Sequence, residues 1–154
     1  MAMIKIRPAC ADEATALLPL VEQYWAFEHL AGFRAEPVQA QLVRLLSDSR
    51  LGCGLVAVDD GVAVAYILVV HVFSLEHFGL TAEIDELFVS PEYRGQGIGQ
   101  RLMATAEAQA RQLGCTNMSL QLALGNEAAR QFYLHQGYSP RAEFGLLDKA
   151  LAPE

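Results

Sequence analysis

The sequence predicts a single mixed α/β domain, residues 1–154, in which a mixed sheet of about seven strands carries helices on both faces. Three observations lead there. Apolar runs with strand character alternate with segments of helical spacing in the order β-α-α-β-β-β-α-β-α-β-β. One glycine-rich turn, Arg94-Gly95-Gln96-Gly97-Ile98-Gly99, joins a strand to a long helical pattern. The composition, 53% hydrophobic and 19% charged, is that of a globular chain. At 154 residues the chain is one domain by length, able to hide roughly 70% of its unfolded surface.

Ile4 to Arg7 alternates apolar and charged residues and reads as a first strand, ended by Pro8. Asp12 is the expected cap of the next helix, whose inner face is Leu17, Leu18, Val21 and Trp25. Pro19 inside that pattern predicts a kink or a restart. Gly32 ends it, and Pro37 opens a second helix with Val38, Leu42, Leu45 and Leu46 inward. Leu51 to Val58 and Val62 to Phe73 are strands joined by an Asp59-Asp60-Gly61 hairpin turn. The longer, more apolar second strand is expected at the centre.

A strand over Thr81–Val89 follows, then the glycine turn. A helix runs from Ile98 to Leu113 and is closed by Gly114. Asn117 to Leu124 alternates as a fifth strand. Gly125-Asn126 turns the chain into a helix over Glu127–Gln136, ended by Gly137. Tyr138–Arg141 and Phe144–Leu147 read as two short closing strands.

Charge and cysteine usage exclude several classes. The net charge of −7 argues against a nucleic-acid partner, which needs a basic face. Cys10, Cys53 and Cys115 are scattered and odd in number, as expected of reduced thiols in the cytoplasm. The four histidines have no metal spacing, so no metal is expected. The longest apolar run, Val62 to Val70, is far short of the ~20 residues that span a bilayer, so no membrane partner is expected.

The glycine turn carries the chemistry. A helix start leaves about four N–H groups free, and glycines let a ligand approach them, so the pattern suits a phosphate. It is not the dinucleotide fingerprint, because Gly95, Gly97 and Gly99 give G-x-G-x-G where G-x-G-x-x-G is needed. It is not a P-loop either, because the turn has no lysine. Arg94, Gly97 and Gly99 fit [RQ]-x-x-G-x-[GA], which resembles the pyrophosphate loop of the GNAT superfamily of acyl-CoA-dependent N-acetyltransferases. A second segment supports the resemblance: Asn126-x-x-Ala129-x-x-Phe132-Tyr133-x-x-x-Gly137-Tyr138 is similar to the family's N-x-x-A-x-x-[FL]-Y-x-x-x-G-[FY]. The element order also resembles the GNAT fold, a central mixed and mostly antiparallel sheet, over nearly the whole chain.

The resemblance implies a transfer of acetyl from acetyl-CoA to a primary amine. The amine, with a pKa near 10.4 as an ammonium, must first lose a proton, and a carboxylate is the usual acceptor. Glu83, Asp85 and Glu86 lie together on an otherwise apolar strand, which is costly to build for stability alone. Any of the three fits the base, Glu86 first and Asp85 next. On a regular strand Glu83 and Asp85 share one face and Glu86 takes the other; a bulge of the kind found in the family re-aims one of them.

Tyr133 is the implied acid for the leaving thiolate. Leu87, Phe88 and Val89 are implied to bond the pantetheine arm through their backbone. Gln96, Gly97, Ile98, Gly99 and Gln100 are implied to present N–H groups to the pyrophosphate beside Gly95, with Arg94 and Arg101 adding charge. Asn126 and Arg130 share a helix face with Tyr133 and are implied on the cofactor side; Asn126 also suits a helix cap.

The strand and loop I-D-E-L-F-V-S-P-E-Y-R-G-Q-G-I-G further resembles diamine and polyamine acetyltransferases. A small amine is therefore the expected acceptor. A protein or peptide amine, or a catalytically silent acyl-CoA-binding module, are the alternatives. The resemblance allows a homodimer.

Overall fold

A computed structural model describes residues 3–152. It divides into two compact units, residues 1–123 and 124–154, each described by itself.

The first unit is a five-stranded sheet in the order β1-β2-β3-β4-β5, with β1 Ile4–Pro8, β2 Gly52–Asp59, β3 Val62–Ser74, β4 Gly79–Val89 and β5 Met118–Leu120. The first four strands are antiparallel neighbours, and β5 joins β4 in parallel, so the sheet is mixed. β3 sits at the centre, as its apolar run predicts. Asp59 pairs with Val62 across a two-residue turn in which Asp60 and Gly61 have φ of 48° and 80°. Those positive angles are what the Asp-Gly turn signal encodes.

Alternation along β2 and β3 splits the buried residues between two faces. Val56, Val58, Tyr66, Leu68 and Phe88 pack with Leu17, Leu20 and Val21 of helix α1 (Ala14–Phe27) and Leu42 of α2 (Ala35–Ser47). The opposite parity, Leu55, Ala57, Ala65, Ile67, Val69 and Ile84, is also buried. Helix α3 (Ile98–Gln112) covers that side with Ile98, Leu102, Met103, Ala106 and Ala110, and Cys53 Sγ lies 3.6 Å from its Gln109 Oε1. Gly114 closes α3 at φ 84°, with the Cys115 N–H donating to the Ala110 carbonyl at 2.9 Å.

The N-terminal cap differs from expectation. Glu13, not Asp12, is the N-cap of α1, and Cys10 caps a short 3-10 turn over Ala11–Glu13 before it. The Glu13 carboxylate accepts from the Cys10 N–H at 2.9 Å and from both terminal nitrogens of Arg7 at 2.7 and 2.8 Å. That pairing holds the Glu13 carboxyl below its ordinary pKa. Pro19 neither breaks nor restarts α1, which runs unbroken through it; Pro19 is exposed, and Leu17, Leu20 and Val21 hold the inner face against the sheet. α1 ends at Phe27, before Gly32.

β5 is three residues long, shorter than the expected Asn117–Leu124 strand. Its ladder pairs only Ala82, Ile84 and the intervening Glu83 of β4, so no strand pairs with Asp85–Val89 on that side among the described residues.

The second unit holds α4 (Glu127–His135). Asn126 caps it, accepting from the Ala129 N–H at 3.2 Å. Gly137 closes it at φ 93°, with the Tyr138 N–H donating to the Tyr133 carbonyl at 3.0 Å. The two closing strands do not form, so the described sheet has five strands rather than about seven. Pro140 lacks a ladder donor, and the Phe144 N–H donates to the Arg141 carbonyl at 3.0 Å, closing a local turn where an extended strand was expected. The Arg141 guanidinium then lies 4.4 Å over the Phe144 ring.

Candidate active site

The acidic strand departs from regular alternation at one point. Glu83 pairs with Val70 and Ile84 with Val69, but the next residue of β3, Leu68, pairs with Glu86. Asp85 is therefore the extra residue of a β-bulge. Val70 and Leu68 are two apart, so Glu83 and Glu86 both look toward α1 and α2. The same face carries Tyr66, paired with Phe88, next along the ladder from Glu86.

Glu86 is thus a carboxylate on an apolar, helix-covered face. Tyr66 Oη donates to Glu86 Oε1 at 2.8 Å. Burial is the main influence and pushes the Glu86 carboxyl up to about 7; the Asp85 charge adds to the rise, while the Tyr66 and Trp25 donors oppose it. A carboxylate with a pKa near 7 is poised as a general base at neutral pH. The Tyr66 hydroxyl, fully buried, is pushed far above its usual pKa and stays a donor. Asp85 is exposed at the bulge, and desolvation raises its carboxyl as well. Glu83 Oε1 accepts from Gln121 Nε2 at 3.3 Å.

Around Glu86, Tyr24 and Phe27 of α1 meet the Phe88 ring edge-on at 6.5 and 6.3 Å, and Trp25 meets Phe33 at 5.5 Å. Arg94 Nε donates to the Val89 carbonyl at 2.9 Å, and its guanidinium lies 4.8 Å over Phe27 and 5.3 Å over Phe88. The side chain expected to add charge at the phosphate loop is therefore also a brace between that loop, the end of β4 and the end of α1.

The glycine turn meets the needs of an anion site. Gly95 and Gly97 have φ of 76° and 78°, and a Cβ on either would point into open space. Gly97 is the N-cap of α3, with no side chain capping the helix. Ile98, Gly99 and Gln100 form the first turn, and the first helical bond is from the Arg101 N–H to the Gly97 carbonyl at 3.1 Å. The N–H groups before it are left for a ligand. Leu87, Phe88 and Val89 lie on the stretch of β4 whose side away from β3 pairs with no strand among the described residues. Along it alternate backbone groups face away from β3.

The first unit thus brings together Glu83, Asp85, Glu86, Leu87–Val89 and Arg94–Gln100. In the second unit Asn126, Arg130 and Tyr133 lie on α4 or its cap, and the Tyr133 ring meets Phe132 and Tyr138 edge-on at 5.1 and 5.9 Å. Sequence reasoning passed over Tyr66. Its signal was a lone hydroxyl in the aliphatic run V-A-V-A-Y-I-L-V-V, a polar atom that a buried strand must pair.

A mixed sheet with a bulged acidic strand, an open strand edge and a bare helix start behind glycines is the arrangement that the resemblance to the N-acetyltransferases implies. The comparison with known sequences makes the assignment specific: residues 17–138 match the Acetyltransferase (GNAT) family, and the chain belongs to it. An uncharacterized N-acetyltransferase of Archaeoglobus fulgidus is 35% identical over 135 residues, 86% of this chain and 91% of that one. The aminoalkylphosphonate N-acetyltransferase of Salmonella typhimurium is 40% identical over 82 residues, and that match spans 53% of each chain.

Among solved structures, a possible acetyltransferase from Clostridium difficile 630 superposes with a TM-score of 0.87 at 19% identity, covering 98% of this chain and 99% of that one. The aminoglycoside N-acetyltransferase AAC(6')-Iy, solved with CoA, gives 0.84 at 17% identity, covering 98% and 97%. The protein is an N-acetyltransferase of the GNAT type. None of the described helices is long and apolar enough to cross a membrane.

Proposed function

We propose that this enzyme acetylates the primary amine of a small molecule, plain or carrying a second charge, with Glu86 as the base. The observation that carries this reading is the Glu86 carboxylate, turned by the bulge onto the face covered by α1 and α2 and held by Tyr66. An ammonium entering there gives its proton to Glu86, and the freed nitrogen attacks the thioester carbonyl. A backbone N–H on the open stretch Leu87–Val89 is suited to the oxyanion. The first turn of α3, from Gly97 to Gln100, suits the pyrophosphate. Tyr133, by its place in the N-x-x-A-x-x-F-Y segment, gives a proton to the departing thiolate, with Asn126 and Arg130 on the same side of the helix. The reading treats residues 1–154 as one catalytic domain working in the cytoplasm, where acetyl-CoA is made available.

Diamines and polyamines are the proposed acceptors. The support is the acid-rich strand and its resemblance to their acetyltransferases; Asp85 at the bulge and Glu28 at the end of α1 add negative charge. A second reading, an amine carrying an anionic group, is favoured by the 40% identity to the aminoalkylphosphonate enzyme and by Arg94, which brings a cation over Phe88.

One panel separates them. Mass spectrometry of the purified protein tests for retained CoA, and thiol release is then measured with monoamines, diamines, aminoalkylphosphonates and peptides. The proposed outcome is a higher kcat/KM for a diamine than for a monoamine of equal length, the ratio shrinking with salt. Preference for an aminoalkylphosphonate replaces it with the second reading. Preference for a peptide amine overturns the small-molecule acceptor, and CoA binding with no turnover marks a silent module.

A further inference from the structure

We propose that Tyr66 is a positioning residue that holds Glu86 by Oε1 and so leaves Oε2 as the oxygen that takes the substrate proton. The proposal rests on the reading of Glu86 as the base. It asks what the Tyr66 contact does to that carboxylate. Tyr66 is fully buried at the centre of β3, and its hydroxyl donates to one oxygen of Glu86 at 2.8 Å. The bulge sets Glu86 opposite Leu68, one step along the ladder from the Tyr66–Phe88 pair, so both side chains leave the sheet on the same face.

Trp25 supplies an independent observation. Its Nε1 is buried and makes no hydrogen bond of its own among the described residues. A buried N–H without an acceptor is costly. Glu86 is the anion it favours, since the Trp25 N–H draws the carboxyl toward its ionised form. The Tyr66 donor and the buried Trp25 N–H therefore both favour the ionised carboxylate. An isolated buried Glu would rotate between rotamers and prefer to stay neutral. With Oε1 committed, its free lone pairs keep a fixed direction.

Among the described residues, Asp85 from its own strand and Tyr66 from β3 act on Glu86 directly, and Tyr24 of α1 acts on Tyr66. Glu83 lies on the same face of the strand, and Arg94 lies over the neighbouring Phe88 ring. Removing the Tyr66 hydroxyl takes away a donor to the charged form and leaves the burial. The carboxyl must then ionise at higher pH.

The test is Tyr66→Phe, with Trp25→Phe and Glu86→Gln beside it. The measurements are the pH profile of kcat/KM and the titration of the Glu86 carboxyl carbon by NMR, assigned by its loss in E86Q. In Y66F the acid limb and the carboxyl titration should both move up by about one pH unit. At pH 7 kcat/KM should fall about fivefold, and it should recover toward wild type at high pH. W25F should move both the same way by less. A merely structural tyrosine would lower activity at every pH and leave the limb in place. If E86Q keeps wild-type turnover, Glu86 is not the base and the functional reading fails, while the carboxyl titration still reports on Tyr66. If E86Q is inactive and Y66F moves neither the limb nor the titration, the positioning role is wrong.

Discussion

Glu83 and Glu86, three residues apart on one strand, share a face. The single inserted residue between Ile84 and Glu86 makes this so, and it turns a carboxylate inward among Leu68, Phe88 and the α1 helix. That placement costs stability, and the cost depends on pH. The folded carboxyl titrates at about 7, against an ordinary value of 4.5. Below the ordinary value it is neutral in both states and costs nothing. As pH rises from there the unfolded chain ionises first, so stability falls until the pH passes the folded value. Glu86→Gln should therefore raise the melting temperature at pH 8 and leave it unchanged at pH 4, by an amount on the order of 3 kcal/mol at the high-pH end. Thermal unfolding at the two pH values decides it, and an equal effect at both would show that Glu86 is not held in a raised state.

The glycine turn gives a second test. Gly97 has φ 78° and its missing Cβ leaves open space in the free protein. Gly97→Val adds a branched Cβ where a phosphate is proposed to approach and strains the left-handed backbone. Calorimetry should find CoA binding lost. A variant shown by circular dichroism to be folded, with unchanged CoA affinity, would remove the turn from the cofactor site.

Tyr133→Phe keeps the ring contacts with Phe132 and Tyr138 and loses only the hydroxyl. As the acid for the leaving thiolate it should contribute about 10²-fold to kcat, with little change in the KM for acetyl-CoA. Wild-type kcat in the variant, with chemistry limiting, would exclude the role.

A structural control lies far from the chemistry. A Cβ on Gly52 would sit 1.9 Å from the Val69 carbonyl oxygen, a backbone atom that cannot yield without moving the β2–β3 ladder. Gly52→Ala should destabilise by about 2–4 kcal/mol, read from denaturant unfolding. Unchanged stability would mean that the two strands slide freely at that end.

Much of this was legible because it is local. Asp60-Gly61 dictates its own hairpin turn, and Gly114 and Gly137 dictate their helix ends, through φ alone. The glycine turn and the Asn126–Tyr138 segment name the family by residue types at fixed spacing. The bulge was not legible from the strand itself: the letters E-I-D-E read the same with or without an extra residue. The register is set by the turn between Ser74 and Gly79 at one end and by the Ala65–Val89 pairing at the other. Tyr66 escaped for the same reason, since its partner is twenty residues away. The restart at Pro19 and the closing strands failed in opposite directions. Packing against the sheet carried α1 through its proline, whereas the turn between Arg141 and Phe144 outweighed strand preference near the C-terminal end.

β5 stops at Leu120 while β4 runs on to Val89. A strand edge left open is a template on which any extended chain can dock, including another copy of the same protein. The edge proposed to take a ligand's amide-bearing arm is therefore also one on which another extended chain could pair. The exposed Asp85 at the bulge acts as a gatekeeper, placing a charge where a foreign strand would begin to pair. A co-substrate arm lying along that edge, as proposed, would cover it as well.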